Sequence, residues 1–255
     1  MQLDAKEKIA HWLTTAEKPI VFTGAGVSTE SGIPDFRSPG GIWTKYQTVY
    51  FDEFLQSADA RHEYWRQKSI IHRDLAVALP NIGHRVIANW EARGVIHGVI
   101  TQNIDGLHQI AGNKNVLELH GSAKKVLCLD CNTYYDAEPM VLQFQQTNRV
   151  PHCTKCTDGR LKLATISFGQ ELPAPILNMA VDWCEQSRLL LAIGSSLVVS
   201  PAADLPLLTT RHGGRLVIIN RDITPLDEVA DEVIHETIGE TLSAIDGFRK
   251  KTLST

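Results

Sequence analysis

The chain has 255 residues, 43% of them hydrophobic, which is enough to bury a full core as one large domain or as a domain with an added module. A formal net charge of −4 excludes a general pull toward nucleic acid or an acidic membrane surface, and no apolar run approaches the roughly 20 residues that span a bilayer. Met1 to Lys8 mixes Asp4 and Glu7 with its lysines and lacks both a signal-peptide core and an acid-poor transit pattern, so a cytoplasmic protein is expected.

Residues 1–18 read as an opening amphipathic helix with Ile9, Trp12 and Leu13 on one face. Pro19-Ile20-Val21-Phe22 then reads as a buried parallel strand that ends in Thr23-Gly24-Ala25-Gly26-Val27-Ser28-Thr29-Glu30-Ser31-Gly32-Ile33-Pro34-Asp35-Phe36-Arg37. Gly24 and Gly26 leave bare backbone at the carboxyl end of a strand, where a phosphate can reach free N–H groups and the start of a short helix near Val27. The dehydrogenase fingerprint wants a third glycine where Thr29 stands, and Gly32 and Pro34 stop the helix early. A dinucleotide held in an unusual way fits the stretch, with Asp35, Phe36 and Arg37 suited to a reaction that builds and quenches positive charge on a sugar. A tight turn with solvated charges is the plainer alternative.

Ser38 to Trp43 is loop-forming and sits where a lid over a cofactor is needed. Residues 51–79 read as helices burying Phe51, Phe54, Leu55, Tyr64 and Trp65, and Asn81 caps a helix running to Trp90. Gly98-Val99-Ile100 is the next strand, and it delivers Gln102, Asn103, Ile104 and Asp105 to the same sheet edge. Polar side chains there suit ribose hydroxyls and a carboxamide, or else form a network that braces the turn. Val116 to Leu119 leads to His120-Gly121, a placement fit for a general base, although His84, His97 and His108 compete for that role.

Cys128-Leu129-Asp130-Cys131 and Cys153-Thr154-Lys155-Cys156 form two C-x-x-C pairs, the pattern of one tetrahedral Zn²⁺. Four thiolates close the coordination sphere, so this ion is structural, and the basic residues nearby are too few for a nucleic-acid ribbon. Ala164 to Pro173 reads as an exposed edge that can pair with an extended peptide, and a helix over 174–186 carries Cys184 as a core filler. Leu189 to Ile193 is a buried strand opening into Gly194-Ser195-Ser196, and Leu216 to Ile219 delivers Asn220-Arg221-Asp222. Val233-Ile234 then leads to the Ile238-Gly239 corner. Strands that alternate with helices and end in polar or glycine-rich corners predict a Rossmann-like doubly wound parallel sheet with two insertions. The sheet domain is expected over 1–43, 80–121 and 160–255, a helical insert over 44–79, and a zinc-binding module over 122–159.

Taken together, G-A-G-V-S-T-E-S-G-I-P-D-F-R, T-Q-N-I-D-G-L-H, L-H-G, the paired C-x-x-C, F-G, G-S-S-L-V-V-S-P and I-N-R-D resemble the sirtuins, the NAD-dependent protein-lysine deacylases, over nearly the whole chain. The stretches R-H-E-Y-W-R and L-C-L-D-C look closest to the branch that holds the mitochondrial sirtuin-4 type and its bacterial relatives. The resemblance implies that NAD is held by Gly24, Ala25, Gly26, Thr29, Asp35, Phe36, Arg37, Trp43, Gln102, Asn103, Ile104, Asp105, Gly194, Ser195, Ser196, Asn220, Arg221, Asp222 and Ile238. It implies His120 as the base with Asn103 beside it, an acyl-lysine peptide or protein held by Ile166, Phe168, Gly169 and Val198, and zinc on the four cysteines. Acyl transfer from lysine to ADP-ribose with release of nicotinamide is the expected reaction; protein mono-ADP-ribosylation and a non-catalytic NAD-sensing module are the alternatives. Two features depart from the family. The Tyr-x-x-Arg of succinyl-preferring members is missing, since Tyr64 is followed by Arg66 and Gln67, which favours acetyl or longer neutral acyl groups. Gln170 stands where the family has Glu, with Glu171 one place later, so peptide docking there is expected to shift.

Overall fold

The computed structural model describes residues 4–35 and 47–252. Its larger sheet has six strands in the order β3-β2-β1-β7-β8-β9, every neighbouring pair parallel: β1 (Ile20–Thr23), β2 (Gly98–Thr101), β3 (Val116–Glu118), β7 (Leu189–Ile193), β8 (Arg215–Ile219) and β9 (Glu232–Ile234). Every residue of β1, β2 and β7 is buried, as a parallel sheet covered on both faces requires. The side-chain alternation divides the core in two. Val21, Val99, Leu191 and Val217 face a layer built from α1 (Ala5–Thr15), α4 (Ile82–Ala92) and α9 (Ile238–Thr252). Ile20, Phe22, Leu190 and Ile218 face α7 (Ala174–Gln186) and α8 (Leu205–Arg211), where Cys184 is a fully buried filler.

Strand order reverses between β1 and β7, and there the two chains leave the sheet in contact. Gly24 N donates to Ile193 O at 3.1 Å and Gly26 N donates to Gly194 O at 2.8 Å. Gly194 has φ +63°, and a Cβ on it would stand 2.4 Å from Val27 N. Neither the conformation nor the space admits a side chain. The chain then makes a 3₁₀ turn over Ala25–Ser31, closed by Gly32 in the left-handed region.

A second sheet is antiparallel, in the order β5-β4-β6: β4 (Gly121–Cys128), β5 (Tyr134–Asp136) and β6 (Leu161–Thr165). It shares one core with α2 (Phe51–Gln56), α3 (Ala58–Val77) and α6 (Ala137–Thr147), built on Phe54, Tyr64, Trp65, Val126, Phe144 and Leu161. Trp65 Nε1 donates to Leu161 O at 3.0 Å, tying the helices to β6. The two insertions read as separate from the sequence are therefore held together by common packing. Short α5 (Leu107–Ala111) completes the set. No helix among the described residues is long and apolar enough to cross a membrane.

Cys128, Cys131, Cys153 and Cys156 converge at one end of this module, with all four sulfur atoms within 4.8 Å of one another. The Cys128–Cys156 and Cys131–Cys153 sulfurs are each 3.6 Å apart, close to the roughly 3.8 Å edge of a tetrahedron with Zn–S bonds of about 2.3 Å. Tyr135 Oη lies 3.0 Å from Cys153 Sγ, and Lys155 N donates to the same sulfur at 3.4 Å, an outer layer that steadies a thiolate. The donors fit zinc, and the ion would fasten a module too small to rest on its own core.

Elemental analysis is expected to find one zinc per chain. Removing it with a chelator, or by C156S, is expected to lower Tm and red-shift tryptophan emission as the core around Trp65 opens; an unchanged melt would contradict the assignment. G194A is expected to destabilise by about 2 kcal/mol or more in urea titration, through forced φ and contact. G247A, on an exposed turn of α9 with nothing within 4 Å of the added methyl, is expected to stabilise by about 1 kcal/mol.

Candidate functional site

A cavity of about 690 Å³ opens where the exits of β1, β2 and β7 meet the junction of the two sheets. That volume lies within the range of small-molecule sites, roughly 300–1,000 Å³. Its wall includes Ala25, Gly26 and Asp35 after β1, Gln102, Asn103 and Ile104 after β2, and Gly194, Ser195 and Ser196 after β7. Asn220 and Asp222 follow β8, and His120 with Ile166, Phe168 and Gly169 closes the side nearest the smaller sheet.

His120 sits between the last strand pair of one sheet and the first of the other. Its backbone O accepts from Ile166 N at 2.9 Å, and Gly121 follows with φ +70°, where a Cβ would also run into Ala164 O. Among the described residues one hydrogen bond orients the ring: Nδ1 lies 2.9 Å from Gln102 O. A carbonyl only accepts, so Nδ1 carries the proton and Nε2 keeps its lone pair. Burial pushes the His120 pKa below its ordinary value, and the bond to the carbonyl opposes that in part. The ring is therefore neutral and basic at neutral pH. Gln102 is also joined across the sheet, its Oε1 accepting from Ser195 Oγ at 2.7 Å.

Behind the cavity wall lies a buried polar network. Ser28 Oγ donates to Asp105 Oδ2 at 2.8 Å and accepts from Asn103 Nδ2 at 3.1 Å, while Asp105 Oδ1 accepts from Leu107 N at 2.8 Å and so ties down the turn before α5. Thr101 Oγ1 accepts from Thr23 Oγ1 at 2.8 Å and from Asn103 N at 3.0 Å. His108 Nε2 lies 3.0 Å from Thr23 Oγ1, and His84 Nε2 lies 3.5 Å from Ser28 Oγ. The two rings stand 4.9 Å apart. Burial pushes His84 down to about 4 despite the attraction of Asp105, and burial together with His84 pushes His108 down to about 3. Both rings are thus uncharged in the folded chain. As pH falls below 6.5 the unfolded chain takes up protons first, so the pair withdraws stability on the acid side.

Several residues expected at the site stand elsewhere. Asp105 is consumed by the network just described. Gly24 faces Gly194 and Ser195, and Thr29 Oγ1 donates to Gly26 O at 2.9 Å, so both shape the loop. Arg221 is exposed outside the cavity wall, and Ile238 is buried in the core at the start of α9. The neighbouring Gly239 N donates to Glu30 Oε1 at 2.9 Å. Val198 is 52% exposed beside the cavity, whose wall takes Val199 instead. Phe36, Arg37 and Trp43, with the lid expected over 38–43, lie outside the described residues. Ser28, Thr101, His84 and His108 were missed as site residues; the hint was a hydroxyl-rich strand end followed by histidines inside otherwise apolar helices.

Residues 24–201 match the protein family described as the Sir2 family. An "NAD-dependent protein deacetylase" of Rhodopseudomonas palustris is 45% identical over 243 residues, 94% of this chain and 96% of that protein. Another of that name from Thermodesulfovibrio yellowstonii is 38% identical over 248 residues, 96% of each. Among solved structures, a Sir2 complex with a p53 peptide and NAD+ superposes with a TM-score of 0.87 at 34% identity, covering 99% of this chain and 100% of that one. A Sir2 bound to acetylated peptide gives 0.86 at 34% identity, covering 96% and 98%. With the motifs, the sheet order and these likenesses in agreement, the chain belongs to the Sir2 family.

Proposed function

We propose that the chain is an NAD-dependent protein-lysine deacylase that moves the acyl group of a modified lysine onto ADP-ribose and releases nicotinamide. One observation carries the reading: the imidazole of His120, locked by the Gln102 carbonyl with Nε2 unprotonated, shares a cavity with the glycine-lined exits of β1 and β7. Ala25, Gly26, Gly194, Ser195 and Ser196 line it with backbone and hydroxyl groups that suit a pyrophosphate and its riboses. Gln102, Asn103 and Ile104 would take the nicotinamide end, and Asn220 and Asp222 the adenosine half. When bound, NAD would supply an electrophilic ribose carbon to the acyl oxygen of a substrate lysine.

The chain's own part is to orient, to shield and to hold a proton. His120 Nε2 accepts the proton of a hydroxyl in the cavity, and the Gln102 carbonyl steadies the imidazolium that results. Asn103, fixed by Ser28 and Thr101, holds its place beside that base. Phe168, Gly169 and Ile166 give an acyl-lysine peptide an edge to lie along, next to the end of edge strand β6. Val198, exposed beside the cavity-lining Val199, would meet the same peptide.

H120A is expected to cut deacylation kcat by at least about 100-fold while NAD affinity, read by calorimetry, changes little. Turnover equal to wild type would overturn the reading. Label from the ADP-ribose half of NAD is expected on a free acyl ester and not on protein, which separates deacylation from ADP-ribosyl transfer. Because the folded pKa of His120 is held below 6.5, the base form survives below that pH; the acid limb of kcat/KM is expected to have its midpoint under pH 6.5 and to vanish in H120A. A midpoint above 6.5 would contradict the role given to burial.

A further inference from the structure

Resting on the deacylase reading, we propose that His235 is a positioning residue for the nucleotide: its imidazole joins the two ends of the loop after β8, and the joined loop holds Asn220 and Asp222 against the adenosine half of NAD. His235 directly follows β9, the strand at one edge of the larger sheet. Its Nδ1 lies 2.7 Å from Asn220 O, and its Nε2 lies 3.2 Å from Asp227 Oδ2. A carbonyl only accepts, so Nδ1 carries a proton, and a proton on Nε2 completes an ion pair with Asp227. One ring therefore bridges the first residue of the loop and the 3₁₀ turn (Asp227–Val229) near its far end.

The tip of this loop has little burial of its own. Arg221, Asp222 and Ile223 are exposed, whereas Thr224 is buried and Leu226 and Ala230 pack on the core. A tip with so few buried contacts opens readily unless it is tied. The ties meet at the two residues that the ring holds. Asn220 N donates to Ile234 O at 3.1 Å, beside the bond its carbonyl makes with the ring, and Asn220 Nδ2 donates to Asp222 O at 2.7 Å. Asp227 Oδ1 accepts from Thr224 Oγ1 at 2.6 Å. Glu232 and Glu236, the acids nearest His235 in the chain, are taken by Lys8 and Lys6, and Asp227 is the carboxylate that meets the ring. Asn220 and Asp222 line the cavity while His235 stands outside its wall, so the ring acts on the ligand space through them. The adenosine half of the nucleotide is not the half that reacts. Contacts to it bind substrate and transition state alike, so their loss raises KM for NAD and leaves kcat in place.

ADP-ribose, which carries the same adenosine half, would be titrated by calorimetry into wild type, H235A, D227A, D227N and the H235A/D227A double variant. H235A and D227A are each expected to weaken binding at least about fivefold, the scale of one lost hydrogen bond, and the double variant to weaken it no further than either alone. D227N is expected to stay within about twofold of wild type, because its amide can donate to an unprotonated Nε2 while its oxygen still accepts from Thr224. With NAD and an acetyl-lysine peptide, H235A is expected to raise KM for NAD by the same factor and to hold kcat and the peptide KM within about twofold. A merely structural role would lower Tm without that split. Equal ADP-ribose affinity in wild type and H235A overturns the inference, and so does a D227A that binds like wild type. Calorimetry as expected without turnover of the acetyl peptide would remove the deacylase reading and keep the tied loop as a nucleotide grip.

Discussion

Two strands of a parallel sheet leave it side by side with nothing but backbone between them. At Gly24, Gly26 and Gly194 the chain exits of β1 and β7 bond to each other in place of carrying side chains, which opens a floor of amide groups at the point where strand order reverses. Such a floor stays hollow only if something holds its rim apart. The rim is held by Gln102, whose side chain takes Ser195 on one side while its carbonyl takes His120 on the other. One residue thus joins the exits of β2, β3 and β7, and its carbonyl aims the His120 imidazole.

The buried network beneath this floor has a different task. Ser28, Asn103, Asp105 and Thr101 bond to one another inside the protein, and the rings of His84 and His108 join them through Nε2 while their buried Nδ1 atoms find no partner among the described residues. A network in a low-dielectric interior is rigid when complete and costly when broken, so it fixes the loop after β2 in one conformation. Asn103 reaches the cavity from that anchored loop. At this strand end Gln102 and Asn103 line the cavity, while Asp105 braces the turn.

Legibility in the sequence followed the range of the interaction. Buried apolar runs announced β1, β2, β7 and β8, the glycines announced the strand exits, Asn81 announced the cap it forms on His84 N, and the paired cysteines announced their own convergence. All of these are local in the chain. Contacts set by tertiary packing were not readable in that way: Arg221 stands between the cavity-lining Asn220 and Asp222 yet is exposed, and Ile238 packs in the core, because strand-end polarity says nothing about which way a loop turns after leaving the sheet. Ser28 meets Asp105, and Trp65 meets Leu161, across separations no periodicity can report.

The helical insertion shows the same limit in sharper form. Counting three places from Tyr64 finds Gln67, an amide occupied with Glu63 and the Gln47 carbonyl, and suggests a cavity end without charge. A helix places the third and fourth residues on one face alike, and the fourth is Lys68. Lys162 reaches the Tyr64 ring from β6, a strand of the other insertion, brought there by the core that both insertions share. The charge at this end of the cavity therefore belongs to no single motif. It arises where α3 packs on β6, so a change in that packing would alter the cavity's electrostatics while leaving the glycine-lined floor and His120 as they are.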